Sequence, residues 1–284
     1  MPIEPTNPED PVLETWQKQT DRVSAGVFDR YFLDGNTRRL AALRRLEDAF
    51  DKVLREVRET TVGDVPAVWA LYNMGVVVKT REALFAIDLH HRRAAELAPI
   101  LDFALITHNH DDHWRQDFYQ AMDRVGKTVV SNFLANYGPV DWRRTGADWA
   151  AGGGYTRARK TFRIRDVEIR TSFVDHNDYL IDFTTAFEVR VGKWKLYHTG
   201  DCGKGSEPKL RACRPDLWVF FPGCGIDVET AVRRVRPKRL AFGHLWELGH
   251  KGGRLTAPLL RNAFAAARRA GAEPVLALWG DRIS

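Results

Sequence analysis

Apolar residues recur along this chain with two different spacings, and the spacing changes near residue 63. Before that point Leu40, Leu43, Leu46, Phe50, Val53, Leu54 and Val57 fall every three or four positions. Arg38, Arg39, Arg44, Arg45, Asp48 and Asp51 fill much of the remainder. That period predicts an amphipathic helix of about six turns. Core packing is the first expectation for its apolar face, with a dimer contact or a lid as the alternatives. Residues 13–33, carrying Trp16, Phe28, Tyr31 and Phe32, predict one or two short helices, and Asn36-Thr37 reads as a helix cap. Residues 1–12, rich in Pro, Glu and Asp, read as a loose arm.

After Gly63-Asp64-Val65-Pro66 the runs become strand-like. Residues 68–72, 76–79 and 83–87 predict short strands joined by tight turns. Asp88 closes the last of them, and His90 and His91 after it read as surface or substrate-side groups. A short helical segment at 92–97 leads to an apolar run at 101–106. Residues 114–125 predict a helix and 128–130 a strand. The span from Asn132 to Arg159 shows no clean period and reads as an insert shaping a pocket, with tryptophans and arginines suited to stacking and anion contact. Strict alternation returns at 162–171, and further strands are expected at 184–190, 193–197, 217–221, 237–244 and 275–279. Helices are expected at 228–235 and 257–270. The order implies an α/β domain over 63–284 with an N-terminal helical extension over 1–62.

Composition narrows the class. A hydrophobic share of 44% over 284 residues is enough for a real core. No run approaches the ~18 apolar residues of a membrane span, and the N-terminal residues lack the basic and apolar regions of a secretory signal. Cys202, Cys213 and Cys224 do not form a disulfide or zinc-ribbon pattern, so a reducing cytoplasm is the expected setting. The net charge of +6 favours anionic partners: a small-molecule or nucleotide substrate, with nucleic acid as an extension of the same argument. A homodimer is compatible with this composition.

The densest chemistry lies in Thr107-His108-Asn109-His110-Asp111-Asp112-His113, directly after the apolar run at 101–106. Imidazole nitrogens and carboxylate oxygens gathered on one loop are what a borderline divalent ion needs, at about 2.0–2.2 Å. Residues two apart in an extended segment point the same way, so His108 and His110 can reach one ion. Asp112 and His113 can serve a second. Farther on, His176, Asp201 and His244 each follow a predicted strand.

His-x-His-x-Asp-His after an apolar strand, then His176, then Thr199-Gly200-Asp201, then His244, resembles the signature of the metallo-β-lactamase superfamily over roughly residues 66–284. The resemblance implies a four-layer αβ/βα sandwich with the site along one edge of its sheets. It implies one ion held by His108, His110 and His176, a second held by Asp112, His113 and His244, and Asp201 bridging them. Asp88 would brace the metal loop without binding metal. A metal-bridging hydroxide would then act as nucleophile, with Asp112 orienting it and His198 or His250 protonating the leaving group. Mixed nitrogen and oxygen ligands suit zinc first, with manganese, iron and nickel also compatible. Tyr197-His198-Thr199-Gly200-Asp201 resembles the branch that holds a sugar-acid lactonase and the tRNA-processing endonucleases. With His250, Lys251 and Arg254 and the positive balance, the favoured substrate is a phosphodiester. A lactone, carboxylic ester or thioester is the alternative, ahead of a non-catalytic metal-binding module.

Overall fold

The computed structural model describes residues 11–35, 39–131, 159–176, 183–249 and 255–284. The expected insert after Asn132, the cap at Asn36-Thr37, and His250, Lys251 and Arg254 lie outside the described residues.

Two sheets carry the molecule. The first holds β1 (Ala67–Ala70), β2 (Val76–Lys79), β3 (Leu84–Ile87), β4 (Phe103–Leu105) and β5 (Thr128–Val130), in chain order. The β1–β2–β3 pairs are antiparallel, and β3–β4–β5 run parallel. The second sheet has the order β12-β11-β10-β9-β8-β7-β6. Its members are β6 (Thr161–Ile164), β7 (Val167–Asp175), β8 (Phe183–Val191), β9 (Trp194–His198), β10 (Leu217–Phe220), β11 (Arg239–Phe242) and β12 (Glu273–Val275). The β6–β9 meander is antiparallel, and β9–β12 run parallel.

Strand period two sorts the side chains of the first sheet between two faces. Val68, Ala70, Val76 and Val78 join the core shared with the second sheet. Ala67, Trp69 and Val77 point to the opposite face. There Phe50, Val53 and Val57 of α3 (Ala41–Glu59) and Phe118 and Met122 of α4 (Gln116–Arg124) cover them. Helices α5 (Val228–Val235) and α6 (Ala257–Arg269) contribute Val232, Val235, Leu260 and Phe264 to the core of the second sheet. The layers are therefore helix, sheet, sheet, helix, and strands such as β1, β3 and β10 are buried along their whole length, as both-face coverage requires.

The N-terminal region folds as α1 (Pro11–Thr20), α2 (Ala25–Asp34) and α3. Leu13, Trp16, Tyr31, Leu43 and Leu46 enter the same core as the sheets, so the apolar face of α3 is core. Leu40 takes the N-cap position of α3 without a side-chain cap hydrogen bond.

Two expectations need correction. The closing strand stops at Val275, because β11 pairs with it only as far as Ala241 and then turns toward His244. Trp279 packs instead on the rings of Trp16 and Tyr72. His91 is not at the surface: its buried ring stacks on Phe50 with centroids 4.2 Å apart.

Candidate metal centre

Every expected ligand sits just beyond a strand end on one edge of the two sheets. The loop after β4 carries His108, His110, Asp112 and His113; His176 follows β7, Asp201 follows β9 and His244 follows β11. Parallel strands deliver their C-terminal ends to one edge, which is why residues this distant in sequence meet.

Three convergent groups result: His108, His110 and His176; His108, His113 and Asp201; Asp112, His113 and His244. Within each, the donor atoms lie within 4.8 Å of one another. His108 Nε2 is 3.2 Å from His110 Nδ1 and 3.1 Å from His176 Nε2. Asp201 Oδ1 is 3.3 Å from His113 Nε2 and 3.1 Å from His244 Nε2, while its Oδ2 faces His176 Nε2 at 3.9 Å. Asp201 thus spans both halves of the cluster.

The donor set fits divalent cations. Two donors bound tetrahedrally at about 2.0–2.1 Å to one ion stand about 3.3–3.4 Å apart, close to the separations observed. Nitrogen lone pairs crowded at that distance gain little from one another. His113 Nε2 is buried without a hydrogen bond among the described residues. The electrostatics agree. Burial alone would raise the Asp201 carboxyl, yet the charges of His244 and His113 outweigh it and hold the carboxylate well below its usual range. Burial likewise opposes a charged His244, but Asp201 and Glu247 lift it to about 10. The Asp201 side of the cluster favours positive charge, while burial and the neighbouring rings hold His108 neutral, as a nitrogen ligand must be.

Neighbouring groups fix which nitrogen faces inward. Asp88 Oδ1 accepts from the Thr107 backbone N–H at 2.8 Å, and its Oδ2 accepts from Thr107 Oγ1 at 2.7 Å. The same Oδ2 lies 2.9 Å from His113 Nδ1, which leaves Nε2 for the cluster. Because Thr107 Oγ1 donates to Asp88, it accepts from His108 Nδ1 at 3.0 Å. His244 Nδ1 faces Glu247 Oε2 at 3.2 Å. Asn73, in the turn between β1 and β2, donates from Nδ2 to Asp112 Oδ2 at 3.0 Å. Such partners orient ligands and raise their basicity. The backbone is unusual where the site is built, with φ +54° at Asn73, +49° at Asp88 and +52° at His244. Gly200 (φ +55°) passes so close to Thr184 and Thr107 that a Cβ would lie 2.6 and 2.7 Å from their hydroxyls. The Thr-Gly-Asp run needs that glycine to bring Asp201 in.

His198 is not brought into the cleft. It is buried, and its Nε2 donates to Met74 O at 2.9 Å, so the ring props the β1–β2 turn and its expected role as proton donor is withdrawn. Cys202 is buried, with its thiol pushed up by burial, and does not join the convergent donors. The supporting roles of Asn73, Thr107, Thr184 and Glu247 are not readable in the sequence. Thr107, adjacent to His108, and Glu247, three residues after His244, are the two with a local signal.

The cluster opens into a cleft of about 1290 Å³. Its described lining includes His110, Asp112, His176, Asp201 and His244 together with Ala25, Phe28, Asp29, Phe32 and Leu33 of α2. His90 lines it too.

No protein-family model matches the chain. Several solved structures resemble it. A novel metallo hydrolase, Igni18, from the archaeon Ignicoccus hospitalis aligns with TM-score 0.54 and 17% identity over 77% of this chain and 97% of that one. The metallo-β-lactamase fold protein YhfI from Bacillus subtilis aligns with TM-score 0.51 and 15% identity over 75% and 91%. CmlA, a diiron β-hydroxylase from Streptomyces venezuelae, aligns with TM-score 0.54 and 14% identity over 78% of this chain and 54% of its own. By its layers, its sheet order and these neighbours, the chain has the metallo-β-lactamase fold.

Proposed function

We propose that this chain is a dinuclear metal-dependent hydrolase of ester bonds. One observation carries the reading: the donor groups overlap through His108 and His113, so a single continuous cluster offers places for two cations. His108, His110 and His176 would hold one, and Asp112, His113 and His244 the other, with Asp201 between them. Bound divalent cations supply Lewis acidity toward a substrate oxygen and lower the pKa of water.

The chain's own residues do the rest. Asp88, Glu247 and Thr107 keep the Nδ1 protons of His113, His244 and His108 turned outward. Asn73 fixes Asp112, whose side chain is 24% exposed against 7% for Asp201. Asp112 therefore faces the cleft and takes the role of orienting the nucleophile. His250, outside the described residues, is retained as the donor of a proton to the leaving group. Zinc suits the mixed nitrogen and oxygen donors, and the diiron chemistry named for CmlA keeps iron beside manganese and nickel among the metals to test.

Two substrate classes remain for this site: the net charge of +6 supports a phosphodiester, and the cleft beside the cluster, part-lined by aromatic residues, supports a lactone, carboxylic ester or thioester. The test is hydrolysis of bis(p-nitrophenyl) phosphate beside lactones, thioesters and p-nitrophenyl esters, with purified, chelated and metal-restored protein and Asp201→Ala. Turnover that disappears with chelator, returns with metal and is lost in the variant supports the reading. Chelator-insensitive turnover contradicts it.

A further inference from the structure

The part of the cleft wall formed by α2 is aromatic. Phe28 and Phe32 are four residues apart and so lie on one face of α2. Both are half-buried and border the cleft. Phe32 is 4.6 Å from the His90 ring, and Phe28 is 5.4 Å from Tyr72. Trp114 and Phe221 continue the apolar surface, with Phe221 stacked 4.1 Å from the ligand ring of His244.

This wall is anchored from two sides. Ser24, at the N-cap position of α2, bridges to Gly249 on the loop that carries His244 and Glu247. At Gly249 (φ +77°) an added Cβ would lie 3.1 Å from Phe28, so only glycine allows that approach. On its inner side Tyr31 is fully buried and donates to Glu47 at 2.7 Å, which also pairs with Arg92 and Arg93. The aromatic face is thus a fixed part of the cleft.

Away from the donor cluster, the one guanidinium of the described lining is engaged. Apart from the expected ligands Asp112 and Asp201, and Glu247 behind His244, that lining holds three carboxylates, Asp29, Asp111 and Asp117, and one guanidinium, Arg115. Arg115 is bidentate to Asp117 at 2.9 Å and lies 4.7 Å over the Phe32 ring. An uncharged apolar group is held by contact area of the kind this wall presents.

Resting on the hydrolase reading above, we propose that the substrate is a carboxylic ester or lactone whose uncharged apolar group, aryl or alkyl, is held against the Phe28–Phe32 face of α2. Burial of apolar surface then sets selectivity, at roughly fourfold per added methylene.

The test uses metal-loaded full-length protein and two readouts. The first is kcat/KM on p-nitrophenyl acetate, butyrate, octanoate and phenylacetate beside bis(p-nitrophenyl) phosphate. The second is calorimetric binding of 4-phenylbutyrate against acetate, which share a carboxylate and differ only in the apolar part. The expected result is a rise of at least about tenfold from acetate to the longer or aryl esters, matched by tighter 4-phenylbutyrate binding. Both ratios should fall toward one in Phe32→Ala and Phe28→Ala, and persist in part in Phe32→Leu, which keeps an apolar side chain. Equal rates and equal binding across each series overturn the inference. Turnover confined to the phosphodiester overturns it too, while leaving the metal-dependent hydrolase standing. A binding preference without any turnover retains the apolar wall and removes the hydrolase.

Discussion

Asp88 Oδ2 lies 2.9 Å from His113 Nδ1, and both side chains are wholly buried. A strand end on the first sheet thereby dictates which nitrogen of a residue 25 positions later faces the cluster of donor atoms. Replacing Asp88 by Asn removes the charge that holds His113 and weakens the hold on Thr107. Metal affinity at the Asp112, His113, His244 side should fall by about 10- to 100-fold. Competition with a chromophoric chelator measures it, and an unchanged affinity would remove Asp88 from this role.

Asn73→Ala tests a finer point. Its amide is donated to Asp112 Oδ2, a residue that touches only one of the two expected cation places. The loss should appear as weaker binding of one metal equivalent and a lower kcat, with the other equivalent unchanged. Equal weakening of both equivalents would show a general structural effect.

Gly200→Ala should destabilise the fold. A Cβ there meets two threonine hydroxyls and the backbone has positive φ. Left-handed backbone alone costs a non-glycine residue about 1–2 kcal/mol, and the contact adds to it. Urea denaturation should show a lower midpoint at an unchanged slope.

His91 makes the fold sensitive to acid. Burial lowers its pKa from 6.5 to about 3, with Glu47 pulling the other way. Between those values the unfolded chain binds a proton that the folded chain does not. Stability from this group is therefore full above pH 6.5 and is lost as pH falls toward 3. His91→Phe keeps the stack on Phe50 and removes the titration. Across pH 6 to 4.5 the variant should lose about 1.4 kcal/mol less stability per pH unit than the parent chain. Identical slopes in pH-resolved denaturation would show that His91 takes up its proton in the folded chain as it does in the unfolded one, and would remove it as the source of the acid sensitivity.

Much of this was legible in the residues. His108, His110, Asp112 and His113 declare themselves because no packing need puts so many imidazoles and carboxylates on one turn. His176, Asp201 and His244 each follow an apolar strand, and the resemblance to the superfamily pattern is what picks them out as ligands. The supporting residues were not readable in the same way. Asn73 reaches Asp112 from an earlier turn, and no periodicity ties the two. His198 looked like a proton donor beside Thr199-Gly200-Asp201, but the residue at a strand end can turn to either face, and here it turns to Met74. His91 looked exposed because its neighbours are charged, whereas Phe50 of α3 covers it. The sequence places the aromatic residues of α2 on a short helix and assigns them no role. Their place in the cleft comes from the tertiary packing that sets α2 beside it.

The most direct test of the central claim is the stoichiometry of metal binding to chelator-treated protein, read by elemental analysis alongside ester turnover. The account expects two zinc, manganese or iron equivalents per chain, activity that appears with them, and loss of tight binding of at least one in Asp201→Ala. A chain that binds no more than one equivalent after loading, or that turns over esters equally well without metal, would contradict it.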